Sequence, residues 1–174
     1  ELAISAQQFS TVSLIASEIH RSVNERGAIV ESLAQRLGRL GDVNGASAQA
    51  LLESQSGIDP LFNWGVIVTD ADGLAIASTP ARLQRVGTRH GDLPFFSEVK
   101  TAQKPVITPP LVGRRTGAPV IGITMPIRTP DGRYVGAVLG ITNLGEPNFL
   151  DQISNAKYGR TGDFLITDVK SRIC

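Results

Sequence analysis

The sequence predicts an α+β domain in which a long helix lies on one face of an antiparallel, five-stranded sheet. Three observations predict it. A heptad-like apolar stripe runs through the first 40 residues. Two strand–Asp-Gly–strand units follow, "WGVIVTDADGLAIAST" (Trp64–Thr79) and "MPIRTPDGRYVGAVLGITNL" (Met125–Leu144). The strands are joined by short turns, which only antiparallel neighbours allow.

The stripe steps by threes and fours through Leu2, Ser5, Phe9, Val12, Ala16, Ile19, Val23, Arg26, Val30, Leu33, Leu37 and Leu40. That spacing keeps one helix face apolar. Ser5 and Arg26 interrupt it, and Gly27 marks a weak point. A helix of this length is roughly 50–60 Å long. Part of it covers the domain core; the remainder is open to dimerisation or to connection with a membrane span. "LGDVNGASAQ" ends it, and a second helix is expected over Ser47–Gln55 with Ser47 as N-cap. "SGIDP" breaks that helix.

Phe62–Asp70 reads as the first strand and Leu74–Thr79 as its return, with Asp-Gly supplying the tight turn. Residues 80–91 form a polar, basic loop. "DLPFFSEVKTAQ" reads as a helix capped by Asp92, with Pro94 in its first turn. The loop and this helix are expected to cover the second face of the sheet. "KPVITPPLVG" and "APVIGITMPIR" are two strands around "RRTG", and "YVGAVLGITNL" is the last long strand. A helix in "EPNFLDQISNAKYG" and a strand in "DFLITD" close the chain.

Composition is that of a globular chain, with 41% hydrophobic and 19% charged residues among 174. A net charge of +1 gives no electrostatic case for nucleic acid. The single Cys174 excludes an intrachain disulfide. No apolar run is long enough to cross a membrane. Glu1 starts inside a predicted helix, so the chain reads as a piece of a longer protein.

No catalytic motif stands out. His20 and His90 are too far apart in the sequence to suggest a metal site, and no P-loop, G-x-S-x-G or dinucleotide fingerprint is present. Asp70, Asp72 and Asp131 sit at hairpin turns, where carboxylates shape the turn. No enzyme activity and no cofactor are expected. The loop holding Arg82, Arg85, Arg89 and His90 precedes an aromatic pair, Phe95–Phe96. Apolar walls beside a few charged groups make a small-ligand pocket; a solvated basic loop over a Phe-filled core is the competing interpretation. Arg114 and Arg115 fall at a hairpin tip. Trp64 suits either stacking on a ligand or burial in a strand.

The order of these elements resembles the extracytoplasmic Cache sensor domains of bacterial transmembrane receptors, in particular the first half of a double-Cache module. The long helix before "WGVIVTDADGLAIAST", the segment "VGTRHGDLPFFSEVKTAQKPVITPP" and the hairpin "APVIGITMPIRTPDGRYVGAVLGITNL" carry the likeness, and "YGRTGDFLITD" resembles the entry to a second module. The resemblance implies a PAS-like/Cache sheet over 58–158, preceded by helices in 1–57 and followed by the start of a second module or a tail in 159–174. It implies a ligand between the sheet and the loop–helix segment, met by Trp64, Arg89, Phe95, Phe96, Thr124 and Thr142, with Arg85 and Met125 beside them. Amino-acid-binding relatives carry an aspartate where this chain has Thr142, so a carboxylate-type ligand, or none, is expected. The implied setting is a periplasmic domain of an inner-membrane receptor. It would form a homodimer through the first helix and signal to a diguanylate cyclase, histidine kinase or chemoreceptor output. The alternative is a ligand-free dimerisation or protein-docking module, its pocket filled by Phe95 and Phe96.

Overall fold

In the computed structural model, described for residues 2–55, 57–114 and 117–151, the expected elements appear in the expected order. Helix α1 covers Leu2–Arg39. Helix α2, Gly45–Glu53, starts one turn earlier than the sequence suggested: Asn44 is the N-cap and accepts from the Ser47 amide, while Ser47 occupies the third helical position and returns the bond. A short α3, Ile58–Leu61, follows where only a break was expected. The first strand, β1, begins at Val66 rather than Phe62, because Gly65 turns the chain with φ of 68°.

Strand β2 is Ala75–Thr79, α4 is Phe96–Thr101, β5 is Pro119–Arg128 and β6 is Tyr134–Asn143. The expected single strand in "KPVITPPLVG" is two: β3, Val106–Ile107, and β4, Leu111–Val112. Both pair with β5, at Thr124–Ile123 and at Val120–Pro119. Pro109 and Pro110 between them have no N–H to donate, so the ladder lapses there. The antiparallel sheet therefore has six strands but is five wide, in the order β2-β1-β6-β5-β3 with β4 also on β5. Of the helix expected in "EPNFLDQISNAKYG" (146–159) only 146–151 is described, with helical backbone at Asp151 alone; its remainder and the strand expected over Asp163–Asp168 lie outside the described residues.

By contacts the chain divides into Glu1–Glu25 with Pro147–Cys174, and Arg26–Glu146. In the first unit, Arg21 pairs with Glu18 and Glu25 along the helix surface, and Asn148 and Asp151 bond one another. The second unit contains the sheet and both of its covering layers.

Pairing register assigns the faces. Residues opposite each other across an antiparallel pair share a face, and neighbours along a strand alternate. Thr124 opposes Leu139 and Gly122 opposes Ile141, so these four share one face. Ile121 opposes Thr142 and Met125 opposes Val138 on the other. The Met125 face is the helix side. There Val30, Leu33 and Leu37 of α1 are buried, Phe62 fills the space over Gly140, and Gly38 lies so close to the Arg128 carbonyl that a Cβ would sit 2.0 Å from it. Arg26, the interruption in the stripe, is buried and donates to the Leu61 carbonyl at 2.8 Å. On the opposite face Phe95, Phe96 and Val99 pack against Ile67, Ala75, Ala137 and Leu139. The segment 80–103 thus covers the second face, as expected.

Candidate functional site

Between this cover and the sheet lies a cleft of about 160 Å³. A cavity of roughly 150 Å³ takes a benzene-sized guest. Ile67, Leu139 and Ile141 form the floor, Leu83, Leu93 and Phe95 come from the cover, and β4 supplies Leu111 and Val112 at the rim. Gly122 keeps the floor low: a Cβ there would stand 3.1 Å from Thr108 Cγ2. Thr108 is tied at both ends, accepting from the Gly122 amide at 2.8 Å and donating to the Pro109 carbonyl.

The loop before α4 is drawn onto the β1–β2 hairpin. The Asp70 carboxylate accepts from the amides of Asp72 and Leu74, closing the turn. Gly73, at φ of 81°, leaves no room for a side chain against Gly91. Backbone bonds from Gly87 to Ala75, Ala75 to Thr88 and His90 to Gly73 then lay residues 87–90 along the start of β2. Extended chain alternates its side chains. Thr88 and His90 line the cleft, while Arg89 between them is exposed.

Arg85 is the principal charge of the cleft. It is 7% exposed. Nε donates to Ser78 Oγ at 3.0 Å, Nη1 to the Trp64 carbonyl at 2.6 Å, and Nη2 to the carbonyls of Thr79 at 2.5 Å and Val66 at 3.5 Å. All these partners are neutral. Burial, with a smaller contribution from Arg82, lowers its pKa to about 10, so it remains a cation at neutral pH.

His90 is held in one tautomer. Thr88 Oγ1 has one proton and gives it to the Arg85 carbonyl at 2.6 Å. The 2.9 Å contact between Thr88 Oγ1 and His90 Nε2 therefore requires Nε2 to donate. In the neutral ring Nδ1 is then an acceptor. Burial, reinforced by Arg114 and Arg85 and opposed by Asp92, depresses the His90 pKa to about 4. Arg114 lines the rim and pairs with Asp92 at 2.7 Å. Asp92 is thus an ion-pair partner and not the cap of α4, whose N-cap is Phe95 without a side-chain bond. The hydrogen bond from Arg114 holds the Asp92 carboxyl below its ordinary range. Trp64 lines the cleft from the turn before β1, and its Nε1 donates to Glu146 at 3.2 Å.

Of the residues singled out from sequence, the cleft brings together Trp64, Arg85 and Phe95. The others are placed elsewhere. Arg89 faces solvent. Phe96 is 1% exposed within the core. Thr124 shares the cleft's sheet face but lies beyond its lining, fully buried, with no hydrogen-bond partner for Oγ1. Met125 and Thr142 are on the helix side, as register dictates. Thr88, His90 and Thr108 line the cleft but were not singled out as ligand-binding; Arg114 was read as a hairpin-tip residue. The basic loop signalled His90. Nothing local pairs Arg114 with Asp92, which lie 22 residues apart.

The architecture is that of Cache/PAS-like ligand-binding domains. The ligand-binding domain of the Pseudomonas fluorescens chemoreceptor CtaA, solved with L-alanine, superposes with a TM-score of 0.69 at 20% identity, over 82% of this chain and 60% of that one. The corresponding domain of the Pseudomonas aeruginosa amino-acid chemoreceptor PctC, solved with GABA, gives 0.61 at 24% identity, over 76% of this chain and 62% of that one. An extracellular ligand-binding receptor from Desulfohalobium retbaense gives 0.57 at 21% identity, over 86% of this chain and 26% of that one. The chain thus spans about 60% of the length of the two chemoreceptor domains. Neither a protein-family model nor a curated protein matches this chain.

Proposed function

We propose that this chain is the extracytoplasmic, ligand-sensing part of a bacterial transmembrane signalling protein, the membrane-distal portion of a double-Cache module, and that it binds a small anion in the cleft. The observation that carries this reading is Arg85, a buried cation whose hydrogen-bond partners are all neutral, at the wall of an apolar cleft. A carboxylate or similar anion supplies the missing charge and takes the Nη1 N–H that these partners leave over. The neighbours solved with L-alanine and GABA support an occupant of this size. A ligand-free docking module would have its pocket filled by Phe95 and Phe96; the cleft beside Phe95 is open, which favours a ligand.

In this role the protein is periplasmic, tethered to the inner membrane and dimeric through α1. The ligand favours one packing of segment 80–103 against the sheet, by its differential affinity for the two packings. That preference passes through α1 to a cytoplasmic diguanylate cyclase, histidine kinase or chemoreceptor output. The domain itself is not an enzyme. A thermal-shift screen of organic acids, amino acids and purines tests the reading. An anion present at about 100 times its dissociation constant stabilises by about 2.7 kcal/mol and raises the melting temperature measurably. If no anion does so, the sensor reading fails.

A further inference from the structure

The chemistry of the cleft wall narrows the ligand further. This step rests on the small-anion reading above. We propose that the cleft takes an apolar monocarboxylate, a short branched or aromatic acid, and discriminates against the α-amino acid of the same skeleton.

Three observations point this way. First, among the described residues the charges on the lining are of one sign: Arg85 within and Arg114 at the rim, with no Asp or Glu. Two carboxylates bond lining residues from outside, and both are engaged, Asp92 by Arg114 and Glu146 by the Trp64 indole. An α-ammonium group in the cleft would lose water beside a guanidinium and find no charged partner. Second, the polar side chains of the lining other than Arg85 are already engaged: Thr88 by the Arg85 backbone carbonyl, His90 by Thr88, Thr108 by the Gly122 amide and the Pro109 carbonyl, and Arg114 by Asp92. The floor is hydrocarbon from Ile67, Leu139 and Ile141. One charged end and an apolar body match that division. A second carboxylate or a phosphate would have to place charge on the floor, or at the rim where Arg114 is already paired with Asp92. Third, the neutral His90 ring donates through Nε2 to Thr88, so its remaining nitrogen accepts. It adds no further cation, and the second cation of the lining, Arg114, is already paired with Asp92.

Isothermal titration of the chain with isovalerate, valine, isovaleramide, succinate and inorganic phosphate tests this. Valine is isovalerate with an α-ammonium added; the amide removes the charge and keeps the skeleton. Isovalerate is expected to bind at least tenfold tighter than each of the other four. Valine binding as tightly as isovalerate, or succinate or phosphate binding more tightly, overturns the monocarboxylate assignment and leaves the anion sensor standing. Isovaleramide matching isovalerate overturns both, because charge then plays no part. Binding by none of the five also overturns both. Replacing Arg85 would strip partners from several buried carbonyls, so the variant to use is Val112→Asp on the rim, where Val112 is 73% exposed. A carboxylate added there is expected to reduce the preference for isovalerate over valine at least threefold. An unchanged preference in a folded variant overturns the electrostatic basis of the discrimination.

Discussion

At the scale of single residues, His90 makes the fold sensitive to acid. Its folded pKa is depressed to about 4 from an ordinary 6.5. The unfolded chain therefore takes up the proton first. The stability that the neutral ring contributes is complete above about pH 6.5, is lost as pH falls toward about 4, and declines no further below that. One such group changes stability by at most about 1.4 kcal/mol per pH unit. Glutamine can offer an amide N–H to Thr88 without titrating. His90→Gln is expected to flatten the urea-unfolding stability between pH 6.5 and pH 4 relative to the parent chain. A parallel pH profile in the two proteins would show that His90 carries none of the acid sensitivity. Trp64 illustrates how a residue's neighbours decide its role. The sequence left stacking and burial equally open; with the turn at Gly65, Trp64 lies ahead of β1 and lines the cleft.

At the scale of elements, what was legible was periodicity, and what was not was its phase. The heptad stripe located α1, and the Asp-Gly turns located both hairpins, because these signals are local. Which alternate residues face the cleft depends on register across strands distant in the chain. Thr142 was expected in the ligand wall, and it is Ile141 that lines the cleft; Arg89 was expected there, and it is Thr88 and His90 that line the cleft. Each is displaced by one residue, which in an extended chain means the opposite face. Two glycines on facing sides of the sheet separate the roles of those faces. At Gly140 an added Cβ would come within 2.3 Å of the Phe62 ring, and at Gly122 within 3.1 Å of a threonine methyl. Gly140→Ala is expected to destabilise by about 1–3 kcal/mol through overpacking, read as a lower urea midpoint. Gly122→Ala is expected to leave that midpoint within about 1 kcal/mol of the parent while weakening ligand binding, because it raises the cleft floor.

At the scale of the whole molecule, every described residue lining the cleft and both layers that cover the sheet belong to Arg26–Glu146. A fragment of those residues is expected to melt cooperatively and to bind the same anions as the full chain. A non-cooperative melt would show that the flanking segments are needed for the core. The layered plan was readable from sequence because the helix stripe, the strand pairs and the intervening cover come in chain order. The split of the outer strand at Pro109–Pro110 was readable only in part: both prolines are visible, but their effect depends on which neighbour they deprive of a bond. That split has a wider consequence. A sheet invites foreign strands at its borders, where amides and carbonyls lack neighbours. On one border the Ser78 amide is already answered by Gln49 of α2. On the other, two prolines interrupt the row of donors between β3 and β4. Among the described residues neither border offers a continuous template, so copies of this domain are poorly suited to join through a shared sheet, and the same prolines guard the chain against fibrous self-association.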